Sequence, residues 1–162
     1  MYVVDLFKRY SRPMKHKNII VDISLQGVDE SLEHEYIKTL IGETLHAVNI
    51  QSAHIAVVYV SSEVMKQANG LYRYVYEDTD VLSFLYDSGM FAEEEGNIAG
   101  EILISPSGLE KYHMDDWGEQ RCIVHGVLHI CGMVHPEAQE SAMYELQEKI
   151  LHNILKREKE WA

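Results

Sequence analysis

Residues 19–60 read IIVDISLQGVDESLEHEYIKTLIGETLHAVNIQSAHIAVVYV, and this stretch decides the fold class. Ile19 to Leu25 is β-branched and bounded by Gly27, which predicts a strand. From Ser31 to Val48 the apolar residues Leu32, Tyr36, Ile37, Leu40, Ile41, Leu45 and Val48 recur at helical spacing. Ala53 to Val60 is a second, largely apolar strand. Beyond it, Ser61 or Ser62 is expected to cap a helix with Val64, Met65 and Ala68 facing inward and Asn69-Gly70 near its end. Val81 to Tyr86 and Ala99 to Ser105 predict two more strands, separated by a solvated acidic loop from Asp87 to Gly96. Pro106 begins a short helix that ends before Asp115, Trp117 to Cys131 is a longer one, and Pro136 to Arg157 is strongly amphipathic. Strands alternating with helices predict one α+β domain of α/β-like order, a mixed sheet of about four strands packed with about five helices.

The bulk composition agrees with one soluble domain. The chain has 162 residues, of which 46% are hydrophobic and 25% charged. Asp5, Lys8 and Arg9 interrupt the N-terminal segment, which lacks the apolar run of a signal peptide, and no apolar run is long enough to span a bilayer. A cytoplasmic location without a membrane partner is therefore expected. Cys122 and Cys131 lie nine apart in one predicted helix, too far round it to meet, and are expected to be small buried hydrophobes. The formal charge is −12, unevenly spread. Residues 1–17 form a basic leader with five Lys and Arg against Asp5 alone, and residues 18–162, the predicted domain, carry nine basic against twenty-five acidic residues. An acidic body repels phosphates and argues against broad nonspecific nucleic-acid binding. It still admits an RNA held locally by a metal and an arginine. The leader reads as a solvated terminus, with an RNA-contacting arm as the alternative.

The chemistry concentrates in RCIVHGVLHICGMVHP, residues 121–136. His125 and His129 are four apart, which on a helix places both imidazoles on one face with Cβ atoms about 5–6 Å apart. Gly132 then permits the left-handed conformation that ends a helix and turns the chain. His135 directly precedes Pro136, is biased away from helix, and can return to the same ion. Isolated histidine pairs arise by accident, and His34 and His46 are examples of scattered helical histidines. A third histidine with the glycine in place predicts a metal site on a helix and turn near the C-terminus, formed by His125, His129 and His135. Three ligands leave a coordination position open, the pattern of a catalytic site. The spacing nearly matches the metzincin protease motif H-E-x-x-H-x-x-G-x-x-H. Position 126, however, is Gly where those proteases hold their general-base glutamate, so ordinary proteolysis is disfavoured.

A second cluster lies at residues 68–84, ANGLYRYVYEDTDVLSF, with Asn69, Tyr72-Arg73 and the run Thr79 to Phe84. Together with GEILIS at 100–105 and HGVLHICGMVH at 125–135, it resembles the YbeY family of ribosomal RNA maturation factors. The resemblance runs from about Val21 to Leu155. The family carries N-x-x-Y-R, T-D-V-L-S-F, G-D-I and H-G-x-L-H-x-x-G-Y-D-H. Here Glu101 stands for the G-D-I aspartate, and Met133-Val134 stand for the Tyr-Asp before the last histidine. The second change removes a carboxylate able to orient a ligand.

The resemblance implies a metal-dependent, single-strand-specific endoribonuclease acting in ribosomal RNA maturation and ribosome quality control. It implies ribosomal RNA, the small ribosomal subunit and a ribosome-associated GTPase as partners. The cofactor is expected to be one divalent ion, zinc first and nickel as the alternative; imidazoles alone do not choose between them. In this reading His125 is catalytic through its metal, and Arg73 is catalytic and substrate-binding through bidentate contact with phosphate oxygens. Tyr72 joins it in binding substrate. Tyr72, Tyr74 and Tyr76 offer rings for base stacking, although their alternation reads more simply as one face of a strand or loop. Asp80 either orients a ligand imidazole or caps the strand at Val81, and Glu101 is the other candidate for supporting the metal's ligands. Two alternatives stand beside this one: a peptidase-like metallohydrolase, for which Glu101 is the only candidate base, and a non-catalytic ribosome-assembly factor with a structural metal.

Overall fold

The structure, a computed structural model, describes residues 18–29, 31–86, 98–113, 115–134 and 142–161. These form one α+β domain. The strands are β1 (Asn18–Gln26), β2 (Ser52–Val60), β3 (Val81–Leu85) and β4 (Ile98–Ile104). The helices are α1 (His34–Ala47), α2 (Ser62–Arg73), α3 (Pro106–Tyr112), α4 (Gly118–Ile130) and α5 (Ala142–Trp161). The sheet order is β1-β2-β4-β3. β1, β2 and β4 run parallel, and β3 pairs antiparallel with β4 as an edge strand. The sheet is therefore mixed, as expected. The basic leader, the acidic loop at 87–97 and the segment 135–141, which includes His135, lie outside the described residues.

Side-chain alternation along the strands divides the core in two. Ile55, Val57 and Tyr59 of β2, with Ile102 and Ile104 of β4, pack against α1, α4 and α5 in the larger cluster. Val58, Val60, Leu82 and Leu103 point the other way and meet Met65 of α2, with Ala68 and Phe84 beside them. Each Ile or Leu fully buried this way contributes about 1.5–3 kcal/mol relative to exposure. Helix α4 lies so close to β4 that a Cβ at Gly126 would sit 3.0 Å from Ile102 Cδ1. Position 126 thus faces the sheet. The glutamate of the protease motif would be buried there against isoleucine instead of reaching the cavity that the histidines line.

Helix α2 ends near Asn69-Gly70 as expected, at Arg73, where Tyr74 takes the left-handed conformation at φ 61°. This end is held by the buried Asn69, whose Nδ2 donates to the Glu77 carbonyl at 2.9 Å across the turn. Two local expectations need correction. Val64 does not face inward but is 38% exposed. Helix α2 covers the sheet through Met65 and Ala68, a narrower stripe than the sequence suggested. The tyrosines at 72, 74 and 76 do not share one face of a strand. They lie on the last turn of α2, at its left-handed cap and in the turn beyond.

Candidate functional site

Helix α4 carries a stripe of partly exposed residues, Arg121, His125 and His129, along an otherwise buried surface. Their spacing of four keeps them on one side. They line a cavity of about 350 Å³ together with Arg73, Asp80, Val81, Ser83, His113, Cys122, Tyr144 and Gln147.

The Nε2 atoms of His125 and His129 lie 2.9 Å apart. On the far side of each ring, Nδ1 meets an oxygen acceptor: Gln147 Oε1 at 2.8 Å from His125, and the Met133 carbonyl at 2.9 Å from His129. An N–H on each Nδ1 makes these bonds, which leaves the two facing Nε2 atoms to share a positive charge, a proton or a metal ion, between them. Two lone pairs at that separation repel unless a positive charge lies between them. Imidazoles whose distal N–H groups are fixed by a carbonyl and an amide oxygen are the ordinary outer arrangement of metal ligands. The residues present therefore fit a divalent ion.

The chain end of α4 produces half of this arrangement. Gly132 sits at φ 89°. Its N–H donates to the His129 carbonyl at 2.9 Å, and the Met133 N–H reaches back to the Leu128 carbonyl at 3.1 Å. This pair of bonds is the Schellman termination, which glycine permits without a Cβ clash. The reversal turns the Met133 carbonyl back onto His129. Val134, in place of the family's aspartate, is 82% exposed and has no polar side-chain atom with which to orient a ring. Gln147 supplies the other half and was missed from the sequence. Its signal was present: Met143, Ile150, Leu151 and Ile154 form the apolar face of α5, and Gln147 occupies a position on that face, 4% exposed.

Opposite this pair stand three further donors. Asp80 Oδ2 lies 2.7 Å from His113 Nε2, and Cys122 Sγ lies 3.5 Å from the same Nε2 and 3.6 Å from Asp80 Oδ2. These residue types are chemically able to hold a metal. Asp80 does both things expected of it, but for a different imidazole. Its Oδ1 accepts the Val81 N–H at 2.8 Å, and its Oδ2 engages His113 instead of His125 or His129. Burial opposes ionisation of this carboxyl, yet the bonds from His113, the Val81 N–H and Thr79 hold it below the usual carboxylate range. Cys122 is buried as expected, and burial, with Asp80 beside it, pushes its thiol well above the ordinary value. His113 was not singled out by spacing, because it sits alone beyond α3.

Glu101 is placed away from the histidine pair. It pairs across the sheet with Phe84 and accepts from Tyr86 Oη at 2.7 Å. It lies in phase with Leu103 and Phe84, whose side chains join the α2 cluster on the face opposite α4. Alternation along β4 thus separates it from the histidines. Arg73, the last residue of α2, does reach the cavity, past the β3 edge. No carboxylate engages it among the described residues. Arg121, by contrast, is clamped between Asp115 at 2.6 Å and Glu148 at 2.9 Å. Tyr72 does not line the cavity; its ring packs on Phe84 with centroids 4.5 Å apart and remains 59% exposed.

Among the described residues no helix is long and apolar enough to cross a membrane. Residues 21–155 match the family model described as Endoribonuclease YbeY. A protein named Endoribonuclease YbeY from Treponema denticola is 33% identical over 140 residues, covering 80% of this chain and 90% of that one. One of the same name from Thermodesulfovibrio yellowstonii is 37% identical over 108 residues, covering 62% of this chain and 66% of that one. A solution structure of a Thermotoga maritima protein superposes with a TM-score of 0.54 at 22% identity, over 87% of this chain and 93% of that one, and shares the fold.

Proposed function

The chain belongs to the YbeY endoribonuclease family, and from that premise we propose that it is a metal-dependent endoribonuclease that cuts single-stranded RNA in ribosomal RNA maturation and ribosome quality control. The observation that carries this reading is the pair of facing Nε2 atoms, each ring fixed from behind by an acceptor, in a cavity that also receives Arg73. His125 and His129 would hold the ion. His135, by the motif, supplies the third imidazole. Zinc is the first choice and nickel the alternative. When bound, the ion supplies Lewis acidity toward a phosphodiester and an acidified water.

The chain's own residues do the rest. Gln147 and the Met133 carbonyl keep each ligand ring in one tautomer and orientation. Arg73, with no carboxylate competing for it among the described residues, grips the phosphate through its planar fork. A chain of net charge −12 repels RNA in general, so binding falls to these few positive elements and is local. The exposed rings of Tyr72 and Tyr74 flank Arg73 in sequence and suit stacking with unpaired bases. A cavity of about 350 Å³ is at the small end of ligand pockets and suits one nucleotide drawn from a single strand. The peptidase alternative finds a base at neither expected position: Gly126 faces Ile102, and Glu101 is on the other face of the sheet. Ribosomal RNA, the small ribosomal subunit and a ribosome-associated GTPase are the proposed partners, in the cytoplasm.

The test is cleavage of single-stranded and duplex RNA of one sequence by zinc-loaded protein, with and without chelator. Cleavage of the single strand alone, lost with chelator and restored by zinc, is expected. Metal-loaded, folded protein that leaves single-stranded RNA intact would instead support an assembly factor with a structural ion.

A further inference from the structure

We propose that Asp80, His113 and Cys122 form a second divalent-cation site, suited to zinc, on the same cavity as the histidine pair. The three donor atoms face one another from three separate segments: the residue before β3, the residue after α3, and the first turns of α4. Their separations carry the argument. A tetrahedral zinc with bonds of about 2.3 Å to sulfur and about 2.0–2.1 Å to nitrogen or oxygen sets S···N and S···O edges of about 3.5–3.6 Å. The structure has 3.5 Å and 3.6 Å on those two edges. The third edge, N···O, is 2.7 Å because a proton is shared there, and it need open only by about 0.6 Å to reach the tetrahedral value.

A catalytic relay is the obvious competing interpretation, and the connectivity rules it out. In a nucleophile–histidine–carboxylate relay the thiol and the carboxylate address opposite ring nitrogens. Here both address Nε2 of His113. Three donors around one point suit a shared cation. The donor set, one sulfur, one nitrogen and one oxygen, is borderline-soft and favours zinc over magnesium or calcium. Three protein ligands leave a position open toward the cavity.

The site is also built to hold its shape. A Cβ at Gly118 would fall 2.4 Å from His113 Cβ and 2.5 Å from Cγ, so the ring occupies space that only glycine leaves. The Ser105 N–H holds the Asp80 carbonyl at 3.0 Å, and the Val81 N–H holds Oδ1, which leaves Oδ2 for the cation. Ion entry sends the thiol proton of Cys122 to solvent and moves the proton between Asp80 and His113 off Nε2, to Nδ1 of a neutral ring or to solvent from an imidazolium. Cys122 and His125 are three apart on α4, so the two cations would lie along the same side of one helix.

This inference does not rest on RNA cleavage, and cobalt(II) separates it from the histidine site. Thiolate ligation gives cobalt an intense charge-transfer band in the near ultraviolet; imidazole ligation alone does not. Metal-free protein carrying both His125→Ala and His129→Ala is titrated with cobalt(II). One equivalent is expected to bind and to raise the thiolate band. The band is expected to survive Cys131→Ser, to vanish with Cys122→Ser, and to require at least about tenfold more cobalt with Asp80→Asn or His113→Gln, each of which removes a proposed ligand. The wild-type chain is expected to show the same band, so a histidine variant that fails to fold leaves the test intact. No thiolate band from folded wild-type protein in excess cobalt, or a band that persists in Cys122→Ser, overturns the proposal.

Discussion

The two donor groups on the cavity are built in different ways. His125 and His129 come from one helix, and their spacing follows from helical geometry alone. One of them is even oriented by its own helix end, through the Met133 carbonyl. Asp80, His113 and Cys122 come from segments up to 42 residues apart and meet only because β3, α3 and α4 pack as they do. The local pair survives any change that leaves α4 intact. The distant group depends on the whole domain. A motif is thus robust where its geometry is local, and chemistry assembled across the fold is as fragile as the packing behind it.

The largest effect that would sharpen this contrast is removal of a ligand. His129→Ala is expected to abolish zinc binding at the histidine site and RNA cleavage with it, while the thiolate band of the other group persists. Elemental analysis and cobalt absorption read the two separately. Unchanged zinc content would break the comparison at its first term. Arg73→Ala is expected to leave zinc stoichiometry unchanged and to lower turnover at subsaturating single-stranded RNA by about tenfold or more, from about 1.5–3 kcal/mol for a hydrogen bond to a charged group. Equal turnover would remove the phosphate role.

Gln147→Ala comes next, since it frees one ring without touching a ligand. A loss of about 10–100-fold in zinc affinity is expected, the usual effect of removing a residue that orients a metal-binding histidine. Gly132→Ala tests the helix end. Among the described residues nothing approaches within 4 Å of its missing Cβ, so a loss of about 1–2 kcal/mol is expected from the left-handed backbone, seen as a shift in the urea midpoint. A neutral result would mean that the cap relaxes without cost.

The smallest expected effect is at Glu101. Glu101→Gln keeps an acceptor for Tyr86 Oη and stands on the other face of the sheet from α4. Metal content and cleavage are expected to stay at the wild-type level. A metal-binding defect would bring Glu101 back to the site and revive the peptidase reading.

The strands were legible because β-branched runs bounded by turn residues declare themselves, and β1, β2 and β4 lie within a residue of their expected bounds. The neighbourhood of the α2 end was legible too, but its last residue was not, because the bond of Asn69 across the turn to Glu77 is seen only in the structure. Glu101 was read from its charge and motif as a candidate for supporting the metal's ligands, yet the face on which a strand residue lies depends on which side each helix covers. Gln147 was passed over because a glutamine on an amphipathic helix has meaning only once its neighbour is known.

The sequence by itself determined the spacing of His125 and His129, the turn at Gly132, the strand and helix order and the family. All of these depend on interactions within a few residues or on a pattern read along the chain. The tertiary structure alone decided that Gln147 backs His125, that Arg73 reaches the cavity, that Glu101 does not, and that Asp80, His113 and Cys122 meet. Those contacts join residues far apart in the chain, and no local periodicity encodes which side chains long-range packing will bring within bonding distance.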